Sequence, residues 1–290
     1  MIVVKIKSGL GNQMFQYAFG RALSLSRGEE LSLDISYYDE QNSRDAKREF
    51  LLSNYLIAGN ILSAKESLRY SNPLYSFLRK VSTKIRGKTH DAYAFNAKAF
   101  SSKRPYYEGY WINEKYFEKY SDQIKKDFSL KNGFSPQAQE VANKITSSLE
   151  AGDVTISLHV RRGDFVSNPN SAFNGVLGVP YYEKALGTIK ELLPAKNFRL
   201  FVFSDDHTWT KANLQHLGNV NFVDGEGVKD YEELILMSLC SHNIIANSTF
   251  SWWGAWLNKN KEKIVVAPYQ WLKERNVKEL ELLLTGWIPI

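Results

Sequence analysis

The chain has 290 residues, of which 43% are hydrophobic and 23% charged, with one cysteine and a formal net charge of +6. That length is about right for two domains of ordinary size, and the composition excludes a disordered chain. A lone cysteine, Cys240, excludes an intramolecular disulfide and fits a reducing compartment such as a cytoplasm.

The opening Met1–Ile6 is not a charged stretch followed by a long apolar run, so no signal peptide is expected. No stretch approaches the ~18 unbroken apolar residues of a spanning helix. The charge is uneven. Between Lys65 and Arg104 ten Lys/Arg stand against Glu66 and Asp91, so this segment carries +8 and the remainder −2. Segment 65–104 is a candidate for docking on the inner face of a membrane or on a phosphorylated glycan carrier; the plain alternative is a solvated face. No nucleic-acid-binding signature accompanies the charge, and no nucleic-acid partner is expected.

In chain order, Ile2–Ile6 reads as a β-branched strand and Ser8–Gln13 as a tight turn. Leu10, Met14, Ala18 and Ala22 then form one helical stripe, with Gly28 as a C-cap. Leu31, Leu33 and Ile35 alternate with polar residues, which predicts the next strand. The stretch from about 40 to 105 is polar and basic without a firm period, and Tyr106–Phe117 is dense in aromatics. Further on, Ser135-Pro136 predicts a capped helix to about Leu149. Strands are predicted at Val154–Val160, Phe198–Phe203, Asn219–Val223, Asn243–Ala246 and Ile264–Ala267. Helices are predicted at Tyr181–Leu193, from a capping Asp230 to Cys240, and at Ser251–Asn258. Alternating strands and helices predict parallel sheets covered on both faces, in two Rossmann-like domains divided at about 140/141.

Four polar loops follow predicted strands, at the edge where ligands bind in such sheets. Gly9-Leu10-Gly11-Asn12-Gln13 enters a helix, where backbone N–H groups can meet a phosphate; the alternative is a turn that merely needs glycine. Met14 stands where a dinucleotide fingerprint needs glycine, which disfavours a nicotinamide or flavin enzyme. His159-Val160-Arg161-Arg162-Gly163-Asp164 sets two arginine forks at a strand end, suited to a diphosphate or to an ordinary ion-pair cluster. Ser204-Asp205-Asp206 and Asn247-Ser248-Thr249-Phe250-Ser251 complete the set; the second can donate to a phosphate or simply cap its helix. Trp252, Trp253 and Trp256 read as core aromatics rather than sugar platforms, and Cys240 as core packing. No Asp-x-Asp occurs; Asp224/Glu226 and Asp230/Glu232 have that spacing with a glutamate. The five histidines lack a ligand spacing such as H-E-x-x-H, so no metal and no resident cofactor is expected.

Taken together, Ser8–Ala18, Glu108-Gly-Tyr-Trp111, His159–Phe165, Phe203–Asp206 and Ile245–Trp256 resemble the bacterial α-1,2-fucosyltransferases, in family order and across nearly the whole chain. The resemblance implies a GT-B-like α/β fold, with two Rossmann-like domains whose parallel sheets face a central cleft. Residues 1–140 would hold mainly the acceptor and residues 141–290 the GDP-fucose donor. It implies inverting, metal-independent transfer of fucose to the 2-hydroxyl of a terminal β-galactose, in glycan or O-antigen biosynthesis. Arg161 would bind the diphosphate, oriented by Asp164, and Asn12 would face the donor from the other domain. His159 would lie near the guanine, with Glu233 as its partner where the family pattern has Asp. Ser248 and Thr249 would contact phosphate. Gly9, Gly11, Gln13, Arg162, Asp205, Asp206, Asn247 and Phe250 complete the implied donor set. Ile112 and Asn113 depart from the Gln-Ser that follows Gly-Tyr-Trp in the family.

Overall fold

The structure is a computed structural model that describes residues 1–41, 47–71, 91–101, 105–167, 175–193, 197–223 and 227–290. Most of the basic segment 65–104, with His90, lies outside the described residues, as do Asp224 and Glu226. The chain divides into two compact units, Met1–Lys131 and Asn132–Ile290. The division comes before the helix at 136–150 rather than at 140/141. That helix belongs to the second unit because its cap is tied there, as described below.

In the first unit, β1 (Ile2–Lys5) leads through α1 (Leu10–Arg27) to β2 (Leu31–Asp34). β3 (Asn60–Ile61), α2 (Ala64–Ser71), α3 (Lys98–Ser101), β4 (Tyr106–Tyr107) and α4 (Ser121–Asp127) follow. The sheet is parallel, in the order β3-β2-β1-β4, with Ile2 opposite Leu31 and Val3 opposite Tyr106. α1 buries Leu10, Met14, Ala18 and Ala22, the expected stripe, together with Phe15 and Phe19. Its C-cap is Gly28, left-handed at φ 65°, whose N–H returns to Ser24 O. A buried knot ties α1 to α4: Asp127 accepts from Tyr17 Oη at 2.7 Å, Arg21 Nε at 2.9 Å and Gln123 Nε2 at 2.8 Å. Burial beside that carboxylate pushes the Tyr17 phenol well above its ordinary range.

The second unit runs α5 (Pro136–Glu150), β5 (Val154–Val160), α6 (Gly163–Ser167), α7 (Val179–Leu192), β6 (Phe198–Ser204), α8 (His207–Leu214) and β7 (Val220–Phe222). It continues with α9 (Asp230–Leu239), β8 (His242–Ile244), α10 (Thr249–Leu257), β9 (Val265–Ala267), the pair β10 (Gln270–Leu272) and β11 (Arg275–Asn276), and β12 (Ile288–Pro289). The main sheet is six-stranded and parallel, in the order β12-β9-β8-β5-β6-β7. Its core joins Ile156, Leu158, Val160, Leu200, Val202, Ile244 and Val266 to Tyr182, Ala185, Leu186 and Ile189 of α7. Trp252, Trp253 and Trp256 are at most 3% exposed and Cys240 is buried, as the core reading requires.

Asp230 is the first residue of α9 and Lys229 its N-cap, so the expected capping role moves one residue along. Glu232 does the capping for two helices. Its carboxylate accepts from Lys229 N at 3.0 Å, closing α9, and from Ser135 N at 2.5 Å and Ser135 Oγ at 3.1 Å, at the cap of α5. Glu232→Ala leaves three donors without this partner and is expected to cost about 3 kcal/mol in urea unfolding, against about half that for Ser135→Ala. Equal costs for the two variants would show that the carboxylate serves only one helix.

No described helix is long and apolar enough to cross a membrane.

Candidate active site

In the second unit the chain builds outward from β5 through β6 to β7, then returns to the other side of β5 to lay β8, β9 and β12. The reversal lies between β5 and β8, and ligands in open parallel sheets bind in the crevice at that point, beyond the strand C-termini. Arg161 and Arg162 leave β5 there, Asp205 and Asp206 leave the neighbouring β6, and Ile245–Ser248 leave β8.

The four charges pair in order. Arg161 Nη1 is 2.7 Å from Asp205 Oδ2, and Arg162 Nε is 3.2 Å from Asp206 Oδ2. Asp205 Oδ1 also accepts from the Arg162 backbone N–H at 2.8 Å, so one carboxylate fixes both a side chain and the loop that carries it. Asp206 Oδ1 caps α8 by accepting from Trp209 N at 3.0 Å, and the Arg162 guanidinium lies 4.0 Å from the Trp209 ring centroid. A Cβ at Gly163 would stand 2.7 Å from Asp205 Oδ2, so glycine is what admits the carboxylate. Asp205 holds Arg161; the side chain of Asp164, expected in that role, lies outside what the structure describes. Asp205 and Asp206 accept from arginine side chains and backbone N–H groups, and so align the arginines.

His159 lies beneath this loop, 4% exposed, its ring 5.5 Å from that of Phe250. Its Nδ1 has no hydrogen-bond partner among the described residues. Burial pushes the imidazole down to about 3, opposed by Asp205 and aided by Arg161, so it is neutral at pH 7. Glu233 on α9 is 9% exposed, and burial, with the charges of Asp230 and Asp205, pushes its carboxyl up to about 8. At neutral pH it carries a proton.

The loop after β8 divides by role. Ser248 Oγ accepts from Phe250 N at 3.3 Å, the capping reading, and Ser248, Thr249 and Phe250 are half-buried. Asn247 is buried and its amide N–H groups reach Gly175 O at 3.2 Å and Trp271 O at 3.1 Å, bracing the scaffold instead of offering a phosphate donor.

In the first unit, the turn after β1 has its strained residue at Ser8, φ 68°, while Gly9 sits in ordinary extended backbone at φ −74°. Gly9 is therefore not needed for a left-handed turn. Gly11 is buried and Asn12 half-buried in the first turn of α1. Gln13 is fully buried; its Nε2 donates to Ser8 O at 3.0 Å and Glu49 O at 2.7 Å, and its Oε1 accepts from Leu51 N at 3.0 Å. That amide is used up in holding the 49–51 loop, which corrects its reading as a donor contact. Trp209 and Gly163, by contrast, were not singled out from sequence. An aromatic five residues after a strand and a glycine within a motif carry no signal of their own.

No group of three or more His, Cys, Asp or Glu among the described residues is arranged to hold a metal ion.

Several solved glycosyltransferases share this architecture. The fucosyltransferase NodZ from Bradyrhizobium matches with a TM-score of 0.50 at 13% identity, covering 87% of this chain and 91% of that one. An Arabidopsis thaliana FUT1 mutant in complex with GDP matches at 0.54 and 13%, covering 91% and 69%. A glycosyl transferase family 9 protein from Veillonella parvula matches at 0.51 and 11%, covering 100% and 86%. These likenesses show the fold, which is the α/β, GT-B-like fold expected. Residues 1–290 match the glycosyl transferase family 11, and the chain belongs to that family. Relatives in sequence include the Escherichia coli O-antigen biosynthesis glycosyltransferase WbnK, 31% identical over 98% of this chain and 99% of that protein. An E. coli α-1,2-colitosyltransferase is 30% identical over 100% and 99%, and human galactoside α-(1,2)-fucosyltransferase 1 is 28% identical over 49% and 40%.

Proposed function

We propose that the protein transfers L-fucose from GDP-fucose to the 2-hydroxyl of a terminal β-galactose on an oligosaccharide or lipid-linked glycan, with inversion and without a metal ion. The acceptor hydroxyl attacks C1 of the β-linked fucose as the bond from C1 to the diphosphate breaks, giving an α-linkage and GDP. The observation that carries the donor half is the arginine pair at the β5/β8 reversal, each member locked by its own carboxylate. Negative charge gathers on the leaving diphosphate, and guanidinium groups fixed beforehand stabilise it without reorganising. On this reading the C-terminal unit holds the donor, with Glu233 and His159 at the base, and the N-terminal unit holds the acceptor.

The α-1,2-colitosyltransferase relative favours a second reading of the donor. Colitose is fucose without one ring hydroxyl, so the same diphosphate and guanine contacts serve both.

The test is an incubation with GDP-fucose or GDP-colitose and lactose in EDTA, with the product linkage read by NMR. An α-1,2-fucosylated product in EDTA supports donor, linkage and metal independence together. Product from GDP-colitose alone changes the donor. Neither product nor GDP release with either donor, together with no GDP binding by calorimetry, overturns the reading in favour of a non-catalytic binding module.

A further inference from the structure

The N-terminal unit has a switch point of its own. Its chain lays β1, β2 and β3 outward and then places β4 on the other side of β1. The loops after β1 and β4 therefore flank the reversal at the ligand-binding edge of this sheet. Lys7 and Ser8 follow β1, and Glu108 and Tyr110 follow β4.

These side chains meet. Lys7 Nζ is 3.4 Å from Glu108 Oε1 and 4.9 Å from the centroid of the Tyr110 ring. Ser8 Oγ and Tyr110 Oη share a hydrogen bond at 3.2 Å. Ser8 O accepts from Tyr38 Oη at 3.1 Å and from Gln13 Nε2 at 3.0 Å. Two non-glycine residues in left-handed backbone bracket the cluster, Ser8 at φ 68° and Trp111 at φ 47°. Each such residue costs about 1–3 kcal/mol and persists only where its surroundings over-determine it, which is most often at a ligand site. Here the surroundings are the three bonds to Ser8 and the Trp111 ring stacked on Phe19 at 4.2 Å and 5°.

The side chains of Lys7 and Glu108 are 20% and 25% exposed, shielded yet reachable. The other described carboxylates near this edge differ. Asp34 is fully buried and accepts from Tyr106 Oη at 2.7 Å and Ser36 N at 3.0 Å, while Asp39 and Glu40 stand exposed.

A sugar hydroxyl donates to a carboxylate and accepts from an ammonium, so a Lys–Glu pair can meet two neighbouring ring hydroxyls at once. We propose that Lys7, Glu108 and Tyr110 form the galactoside subsite, with Glu108 taking the proton of the attacking 2-hydroxyl and Lys7 donating to the adjacent 3-hydroxyl. The inference rests on the transfer reaction proposed above. As the acceptor oxygen bonds C1 and the bond to phosphate breaks, the electron pair leaves on GDP and the proton passes to the Glu108 carboxylate, which solvent then resets.

Glu108→Gln keeps the shape and removes the proton acceptor. It is expected to lower kcat for transfer to lactose by about 10²-fold or more, the range of general base catalysis. GDP affinity by calorimetry is expected to stay at the wild-type value, because donor binding does not use the acceptor. Glu108→Asp should recover part of the rate. Lys7→Met should raise the KM for lactose but not for its 3-deoxy analogue. A Glu108→Gln kcat within about threefold of wild type overturns the proposal. So does a loss of GDP affinity in step with transfer, since that marks a structural ion pair. If the wild-type protein itself makes no product, the reaction reading is what has failed. Lactose binding by calorimetry in the presence of GDP then still decides the subsite, which requires Glu108→Gln to weaken it.

Discussion

Replacing Arg161 by alanine is expected to lower kcat at saturating GDP-fucose by about 10²–10³, the usual cost of removing one preorganised donor aimed at developing charge. As an ion pair with Asp205 alone, Arg161 would matter little, because a partly exposed pair contributes under about 1 kcal/mol to stability. The large effect comes from its fixed position. Asp205 holds the guanidinium at 2.7 Å and the loop backbone at 2.8 Å, and the guanidinium carbon lies 5.4 Å from the Phe165 ring centroid. Arg161→Lys keeps the charge but not the planar fork and should recover only part of the rate. Gly163→Ala, whose new methyl would stand 2.7 Å from the same carboxylate, should act through Asp205 in the same direction as Asp205→Asn. Steady-state kinetics with lactose would check all four. Near wild-type turnover for Arg161→Ala would remove it from the reaction, and a rise in lactose KM alone would move it to the acceptor.

The second large effect is on pH. Guanine presents two N–H donors on one edge, which an ionised carboxylate accepts and a protonated one does not. The Glu233 carboxyl is pushed up to about 8, so free protein must lose a proton before this contact forms. GDP affinity should therefore rise with pH and level off above 8, with about a fiftyfold gain between pH 6 and pH 8 if only the ionised form binds. Glu233→Gln should abolish that part of the gain and leave whatever arises from titration of GDP's own phosphate. Stability has the opposite sign. A carboxyl whose folded value lies above its unfolded one makes its contribution below the unfolded value, and loses it as pH rises from about 4.5 to about 8. The free protein should thus melt at lower temperature at pH 8 than at pH 5 where this group dominates, and Glu233→Gln should flatten the difference. Calorimetric titrations across pH for both proteins would decide it. Parallel curves would place the guanine elsewhere.

Much of this architecture was legible in the sequence because its signals are local. The stripe from Leu10 to Ala22, Gly28 beyond it, Ser135 before Pro136 and the apolar–polar alternation of Val154–Val160 each fix an element through contacts within a few residues. The short strands escaped. Asn60–Ile61, Tyr106–Tyr107 and Ile288–Pro289 are two residues each and exist only because a parallel neighbour already stands beside them. The polar loops announced themselves as loops, yet their division of labour did not. Gln13 and Asn247 have side chains a ligand could use, but the folded chain brings backbone carbonyls from Glu49, Gly175 and Trp271 to them. Asp205 lies next to Asp206 in sequence, and only the β5–β6 pairing gives each its own arginine.

The sequence by itself therefore determined the class of fold, through periodicity and capping, and the family, through contiguous motifs. The tertiary structure alone decided which polar side chains remain for a ligand and which become scaffold. It also decided the protonation of Glu233 and the meeting of Lys7 with Glu108, residues a hundred positions apart along the chain. The physical reason is that burial and charge pairing depend on what the fold brings alongside, and no local pattern encodes a neighbour supplied by a distant strand.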